Sequence, residues 1–250
     1  MQKDFDPKMN LLFSNEHCIV VEKPAGLLVH PSHLARDKDT LMSRVRNKVG
    51  HHVYPIHRLD RATRGLVLLA KNSESASSFG KQFMTRQVEK HYLAIVRGVV
   101  PDSGTIDWPL LEEGTSRPAD AVSHFKKLAQ SELPFAVGPH QSVRHSLVLL
   151  TPVTGRFHQL RKHMKHVFHP IIGDTIYGDG KQNRFFRSHF NIHSLMLFAY
   201  KLEFYMPDSD NKVAITADFS ELGDFEIACK NLGWQIELQK YLNVRAELQE

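Results

Sequence analysis

Cysteine is scarce in this 250-residue chain: the two residues present, Cys18 and Cys229, lie far apart and form no CxxC pair. That excludes a disulfide framework and fits a reducing cytoplasm. Long apolar runs are missing as well. No stretch approaches the roughly 20 residues of a membrane helix, so no membrane partner is expected. Met1 to Asp6 is charged and lacks an apolar core, which argues against a secretory signal. Internal repeats, low-complexity tracts and long linkers are absent. Metal chemistry has little to rest on. His158, His163, His166 and His169 recur among lysines and arginines with no cysteine or acid beside them, so a dication would meet like charge there. They read as phosphate-facing or structural, and no metal is expected. Gly173-Asp174 and Gly178-Asp179-Gly180 lack the framing of a phosphate loop and read as turns.

What is present is an ordinary globular balance, 42% hydrophobic and 24% charged, with a formal net charge of +5. The distribution says more than the sum. From Lys201 onward there are 5 Lys+Arg against 10 Asp+Glu, so residues 1–200 carry 27 against 17. Thr151–Phe190 holds 7 Lys+Arg, only 2 acids and 5 histidines. A basic zone beside an acidic tail suits a directed nucleic-acid footprint, although a solvated basic helix would look the same.

Apolar periodicity sketches the elements. Cys18–Glu22 and Gly26–His30 flank a Lys-Pro-Ala-Gly turn and read as a hairpin. Leu41, Val45 and Val49 follow a cap at Asp39-Thr40 with helical spacing, and a second helix begins near Ser73. Strands are expected at Val53–Leu59, Gly65–Lys71, Val88–Arg97, Thr105–Leu110, Ala121–Leu128, Ser146–Thr151 and Ser194–Tyr205. After Thr154-Gly155-Arg156 a helix should pack Phe157, Leu160, Met164 and Val167, with His158, Arg161, Lys162 and Lys165 on another side. Phe219 to Glu250 also looks helical. Strands outnumber helices and short turns join them. An α+β domain follows, built on a central, mostly antiparallel mixed sheet flanked by helices and loops.

The segment His57-Arg58-Leu59-Asp60-Arg61-Ala62-Thr63-Arg64-Gly65 sets one carboxylate among three arginines. Nearby cations keep a carboxylate ionised, and an ionised carboxylate in a pocket serves as nucleophile or base. A loop aspartate paired to an arginine would present the same residues. The segment resembles the aspartate motif of the RluA family of pseudouridine synthases, and three further blocks resemble that family's motifs in the same order. These are Glu22-Lys23-Pro24-Ala25-Gly26-Leu27-Leu28-Val29-His30, the strand Lys90 to Gly98 around Tyr92, and Thr154 to His163 continuing into His169-Pro170-Ile171-Ile172-Gly173-Asp174.

The resemblance implies the pseudouridine synthase fold and a single catalytic domain over residues 1–250, without a preceding RNA-binding domain. It implies Asp60 as catalytic aspartate, Arg58 entering the RNA stack to displace the target base, Tyr92 against the flipped uracil, and Arg161 pairing with Asp60. Arg61, Arg64, Arg156, His158, Lys162 and Lys165 are the further expected RNA contacts. Arg64 departs from the serine usual in the family. The reaction breaks the N1–C1′ bond, turns the uracil and joins C5 to C1′, with no redox change, so no cofactor is expected. Whether the carboxylate attacks or abstracts a proton stays open. A base inside a helix must first be extruded, at a cost of a few kcal/mol. Features such as Arg36-Asp37, Val49 to Val53 and Gly180 to Arg184 resemble a tRNA-modifying branch, which implies uridine 65 of the T-stem of tRNA; a monomer is expected. A ribosomal-RNA or dual-specificity synthase, or a non-catalytic RNA-binding protein, are the alternatives.

Overall fold

The computed structural model describes residues 9–31, 39–217 and 223–234. Arg36-Asp37 and much of the expected C-terminal helix lie outside them. The chain separates into two compact units, residues 1–91 with 198–217, and residues 92–197 with 218–250.

In the first unit β1 (Asn10–Ser14) pairs antiparallel with β2 (Cys18–Lys23), and β2 pairs with β4 (Arg64–Ala70). Every residue of β2 is buried, as is β4 beyond its first residue. Strands apolar on both faces suit the middle of a sheet. β11 (Leu197–Tyr205) runs parallel to β4 and carries antiparallel β12 (Lys212–Thr216) on its other side. The parallel pair forms where Gly65 meets Ala199: a Cβ at Gly65, whose φ is +128°, would stand 2.2 Å from the Ala199 carbonyl oxygen. Only glycine permits that approach. α1 (Leu41–Val49) starts at a Thr40–Ser43 capping box and ends on left-handed Gly50. α2 (Ser73–Met84) is capped by Asn72.

Two expected strands of this unit are not there. Gly26–His30 does not return along β2; it curls round the buried Lys23 side chain, whose ammonium donates to the Leu27 carbonyl, and only Leu28 forms a bridge, to Thr40. Val53–Leu59 shortens to β3 (Tyr54–Pro55). Beyond Pro55 it is the His57 ring, not a backbone carbonyl, that accepts the Leu68 N–H at 3.0 Å.

In the second unit β5 (Glu89–Arg97, from Tyr92 on), β10 (Val143–Pro152), β9 (Val122–Leu133) and β6 (Ser103–Asp107) are successive antiparallel neighbours. β7 (Leu110–Leu111) and β8 (Pro118–Ala119) form a small ribbon. The expected strand Thr105–Leu110 is split at Trp108-Pro109, since proline cannot donate to a ladder. α3 (Gln159–His166) follows the Thr154 turn, and α4 (Gly180–Phe190) was not foreseen. The Asp179 that reads as a turn residue is its cap, accepting the N–H groups of Lys181 and Gln182. α5 (Asp224–Asn231) buries Phe225 and Cys229, as expected from their spacing.

Candidate active site

Asp60 begins a tight turn: the Thr63 N–H donates to its carbonyl at 3.1 Å, and β4 starts one residue later. The turn is tied to the segment Pro24–Leu28 at several points. Gly26 N–H donates to Arg61 O at 2.7 Å, and Arg61 Nε donates to Gly26 O at 2.9 Å. Beneath them Lys23 is wholly buried, with Nζ donating to the carbonyls of Pro24, Leu27 and Arg61 at 2.9, 2.8 and 3.1 Å. An ammonium has three protons and finds three acceptors here. Burial pushes its pKa down to about 7, with the Asp60 charge opposing and Arg61 reinforcing that fall. Two of the four motif blocks are therefore one built object: the first supplies the lysine, and the second is the loop it holds.

Around that loop the side chains separate by role. Asp60 is half-buried, while Arg58 and Arg61 are exposed. Arg64 turns the other way, and its Nε donates to the buried carboxylate of Glu22 at 2.6 Å. The arginine that departs from the family pattern is thus engaged across the β2–β4 pair. His57 stacks on Phe83, and burial, then the charge of Lys90, holds its pKa near 3, so the ring is a neutral acceptor for Leu68. Arg58 does not sit on a strand face with Asp60; both are loop residues.

In the second unit Tyr92 is half-buried on β5 opposite Leu150. Arg161, expected on the cationic side of its helix, is instead buried and forked onto Asp174, with Nε–Oδ2 at 2.8 Å and Nη2–Oδ1 at 2.9 Å. An 8-residue helix with an apolar stripe turns its neighbouring face inward too. Asp174 also accepts the N–H groups of Ile176 and Tyr177. Burial alone would raise the Asp174 pKa; its bonds from Arg161 and these amides outweigh that and hold it below the usual range. The Tyr177 ring lies 5.2 Å from the guanidinium. Thr154, Gln159 and Arg156 lock the turn before α3: Gln159 Oε1 accepts from Thr154 Oγ1 at 2.7 Å and from Arg156 N at 2.9 Å, and Gln159 Nε2 donates to Val122 O. Arg156 Nε donates to Asp120 O. His158 adopts a left-handed conformation before the helix and meets the Tyr177 hydroxyl at 3.2 Å. Lys162 lies over Phe157, and Lys165 is exposed.

The histidines of this region take structural partners. His163 bonds Ser123 and the Trp108 carbonyl, His166 stacks on Trp108, and His169 bonds Arg97 O. Among the described residues one group has metal-ligand spacing, Glu89, His91 and Glu203. Lys212 bonds Glu89 at 2.6 Å and Glu203 at 2.9 Å, and Lys201 bonds Glu203 at 2.6 Å. With two ammonium groups already on its carboxylates, it is an ion-pair cluster. Sequence reasoning passed over Lys23, Asp174 and Tyr177 as functional supports. Nothing in a local pattern marks a lysine or aspartate as buried.

Residues 17–166 match the family described as RNA pseudouridylate synthase. The chain is 42% identical to tRNA pseudouridine synthase C of Yersinia pestis over 85% of this chain and 87% of that protein. It is 44% identical to the one of Pasteurella multocida, over 84% and 90%. A relative of the same name from Pectobacterium carotovorum is 41% identical over 94% of this chain, which spans 65% of that longer protein. Among solved structures, human RNA Pseudouridylate Synthase Domain Containing 4 superposes with a TM-score of 0.68 at 25% identity, covering 89% of this chain and 92% of that one. The fold is therefore the α+β one expected, and by family match and relatives together the chain belongs to the RNA pseudouridylate synthases, which are RNA isomerases.

Proposed function

We propose that this protein isomerises a uridine of tRNA to pseudouridine, at position 65 of the T-stem. The observation that carries the tRNA reading is the similarity to proteins named tRNA pseudouridine synthase C over most of the chain. Asp60 is the catalytic residue in this reading, acting on sugar or base while the N1–C1′ bond breaks and the C5–C1′ bond forms. Support comes from its loop: a turn pinned by a buried ammonium holds one carboxylate in place and costs no reorganisation during the reaction. Arg58, exposed two residues earlier, fills the space of the extruded base, and Tyr92 lies against the uracil. Arg161, its guanidinium fixed by Asp174, is a positioning residue for the aspartate. Arg61, Arg156, His158, Lys162 and Lys165 meet phosphates.

The test is pseudouridine mapping of all tRNAs and ribosomal RNAs from a deletion strain, complemented with the wild-type gene or with Asp60→Asn. Loss of one T-stem signal, restored by wild type and not by Asp60→Asn, is expected. In vitro the variant should keep RNA affinity within a few fold, since binding rests mainly on phosphate contacts. A lost signal in ribosomal RNA would move the substrate, and turnover by Asp60→Asn would remove the aspartate from its role.

A further inference from the structure

The basic zone Thr151–Phe190 presents only part of its charge where its helical pattern points. On α3, Arg161 and His163 are buried. Lys165 of α3 is exposed, and further exposed cations lie on α4, at Lys181, Arg184 and Arg187. The zone's two acids are both engaged within the second unit, Asp174 by Arg161 and Asp179 by Arg97 at 2.7 Å.

α4 begins at the edge of a cleft of about 720 Å³. One wall is the turn between β9 and β10, residues 134–142, and the other is the first part of the helix. Arg144, His140, Lys181 and Arg184 line it, and all are exposed. Asp179 is the single carboxylate among the described residues of its lining. Burial would raise its pKa, but the bonds from Arg97 and from the N–H groups of Gln182 and Lys181 hold it below the usual range. It therefore serves the helix cap and Arg97. Glu132, opposite Arg144 in the ladder, accepts from Ser142 Oγ. The walls are fixed to each other. Phe135 of the turn packs on Phe185 and His189 of α4, with ring centroids 5.3 and 5.0 Å away. Buried His145 of β10 bonds Gln182 of α4 at 3.0 Å. Lys181 lies across Gly138, where a Cβ would come within 3.1 Å of Nζ.

We propose that this cleft is a second RNA-binding site, which takes the phosphate backbone of the substrate. The inference rests on the reading of structured RNA as substrate. Three cations from two elements, held round a concave surface whose one acid is internally paired, are suited to a chain of phosphates by charge complementarity.

The experiment compares wild type with the triple variant Arg144→Ala, Lys181→Ala, Arg184→Ala. Its control removes the same charge at exposed positions outside the cleft, Lys48→Ala, Lys126→Ala, Lys230→Ala. Dissociation constants for a tRNA transcript and a generic RNA duplex are measured across a salt series, and the single-turnover rate is measured at saturating enzyme. At about 0.9 of a slope unit per lost phosphate contact, the cleft variant should flatten the salt dependence by about two to three units and bind on the order of tenfold more weakly. Its saturated rate should match wild type. An unchanged slope, or a control that flattens it equally, overturns the site. Because slope is read from binding, it stands apart from turnover: a wild-type enzyme inactive on tRNA with a flattened slope in the cleft variant would defeat the tRNA reading and leave the cleft in place.

Discussion

At the residue scale, Arg58 and Arg161 show how one side-chain type is put to opposite uses. Arg58 is exposed on the loop that carries Asp60, which is where a side chain must be to enter an RNA stack. If it fills the place of the extruded base, Arg58→Ala should slow a paired substrate more than one with a mismatched target uridine. The mismatch has already removed part of an unpairing cost of a few kcal/mol. Single-turnover rates of both proteins on both RNAs decide it, and equal loss on the two would make Arg58 an electrostatic partner of Asp60. Arg161 is buried against a buried carboxylate, with side chains 5% and 1% exposed. Removing one partner leaves an uncompensated charge, so Arg161→Met should lose about 3–5 kcal/mol in urea unfolding, while Arg161→Met with Asp174→Leu should lose much less. The pH dependence has a definite sign. The Asp174 pKa is lower folded than its ordinary 3.8, so its contribution is complete above that value and fades as pH falls through the folded one. The acid limb of stability should be shallower in the double variant. An equally steep limb would show that other carboxylates govern it.

At the element scale, the Asp60 loop is a product of its neighbours. β4 can start straight after the Asp60 turn because Gly65 lets β11 lie against it. Gly65→Ala puts a methyl group 2.2 Å from the Ala199 carbonyl oxygen at a φ of +128°. Either the strands part or the chain strains, and a loss of about 2–4 kcal/mol is expected, in the range of large single-site effects. Activity should fall along with it, because the same residue sets where the loop emerges. Ordinary stability in a denaturant titration would show that the sheet can relax at this point. α3 supplies a milder test. Lys162→Ala and Lys165→Ala should each flatten the salt dependence of RNA affinity by about one unit or less. No change in the double variant would place the RNA on another face.

At the scale of the whole molecule, charge is arranged by sign along the chain, 27 Lys+Arg against 17 acids up to residue 200 and the reverse beyond it. That arrangement favours capture of a polyanion with strong salt dependence, whichever uridine is modified. The motif blocks, their order and the residue types they carry were legible in the sequence, because the chemistry of the site is written in short contiguous segments. The cap at Thr40, the start of the helix near Ser73, the buried strand β4 and the packing of Phe225 and Cys229 were legible too, since each depends on neighbours within a few positions. What Lys23, Arg64 and Arg161 do was not. Lys23 reads as a turn residue in the sequence, yet its ammonium is closed round by carbonyls up to 38 residues away. Arg64 reads as a loop cation, yet it meets Glu22 across 42 residues. Arg161 falls on the polar side of a helical wheel, yet Asp174 draws it inward. A sequence states what a side chain can do; only the folded backbone decides whether water, a carbonyl or a carboxylate is waiting for it, because burial and pairing are set by segments distant along the chain.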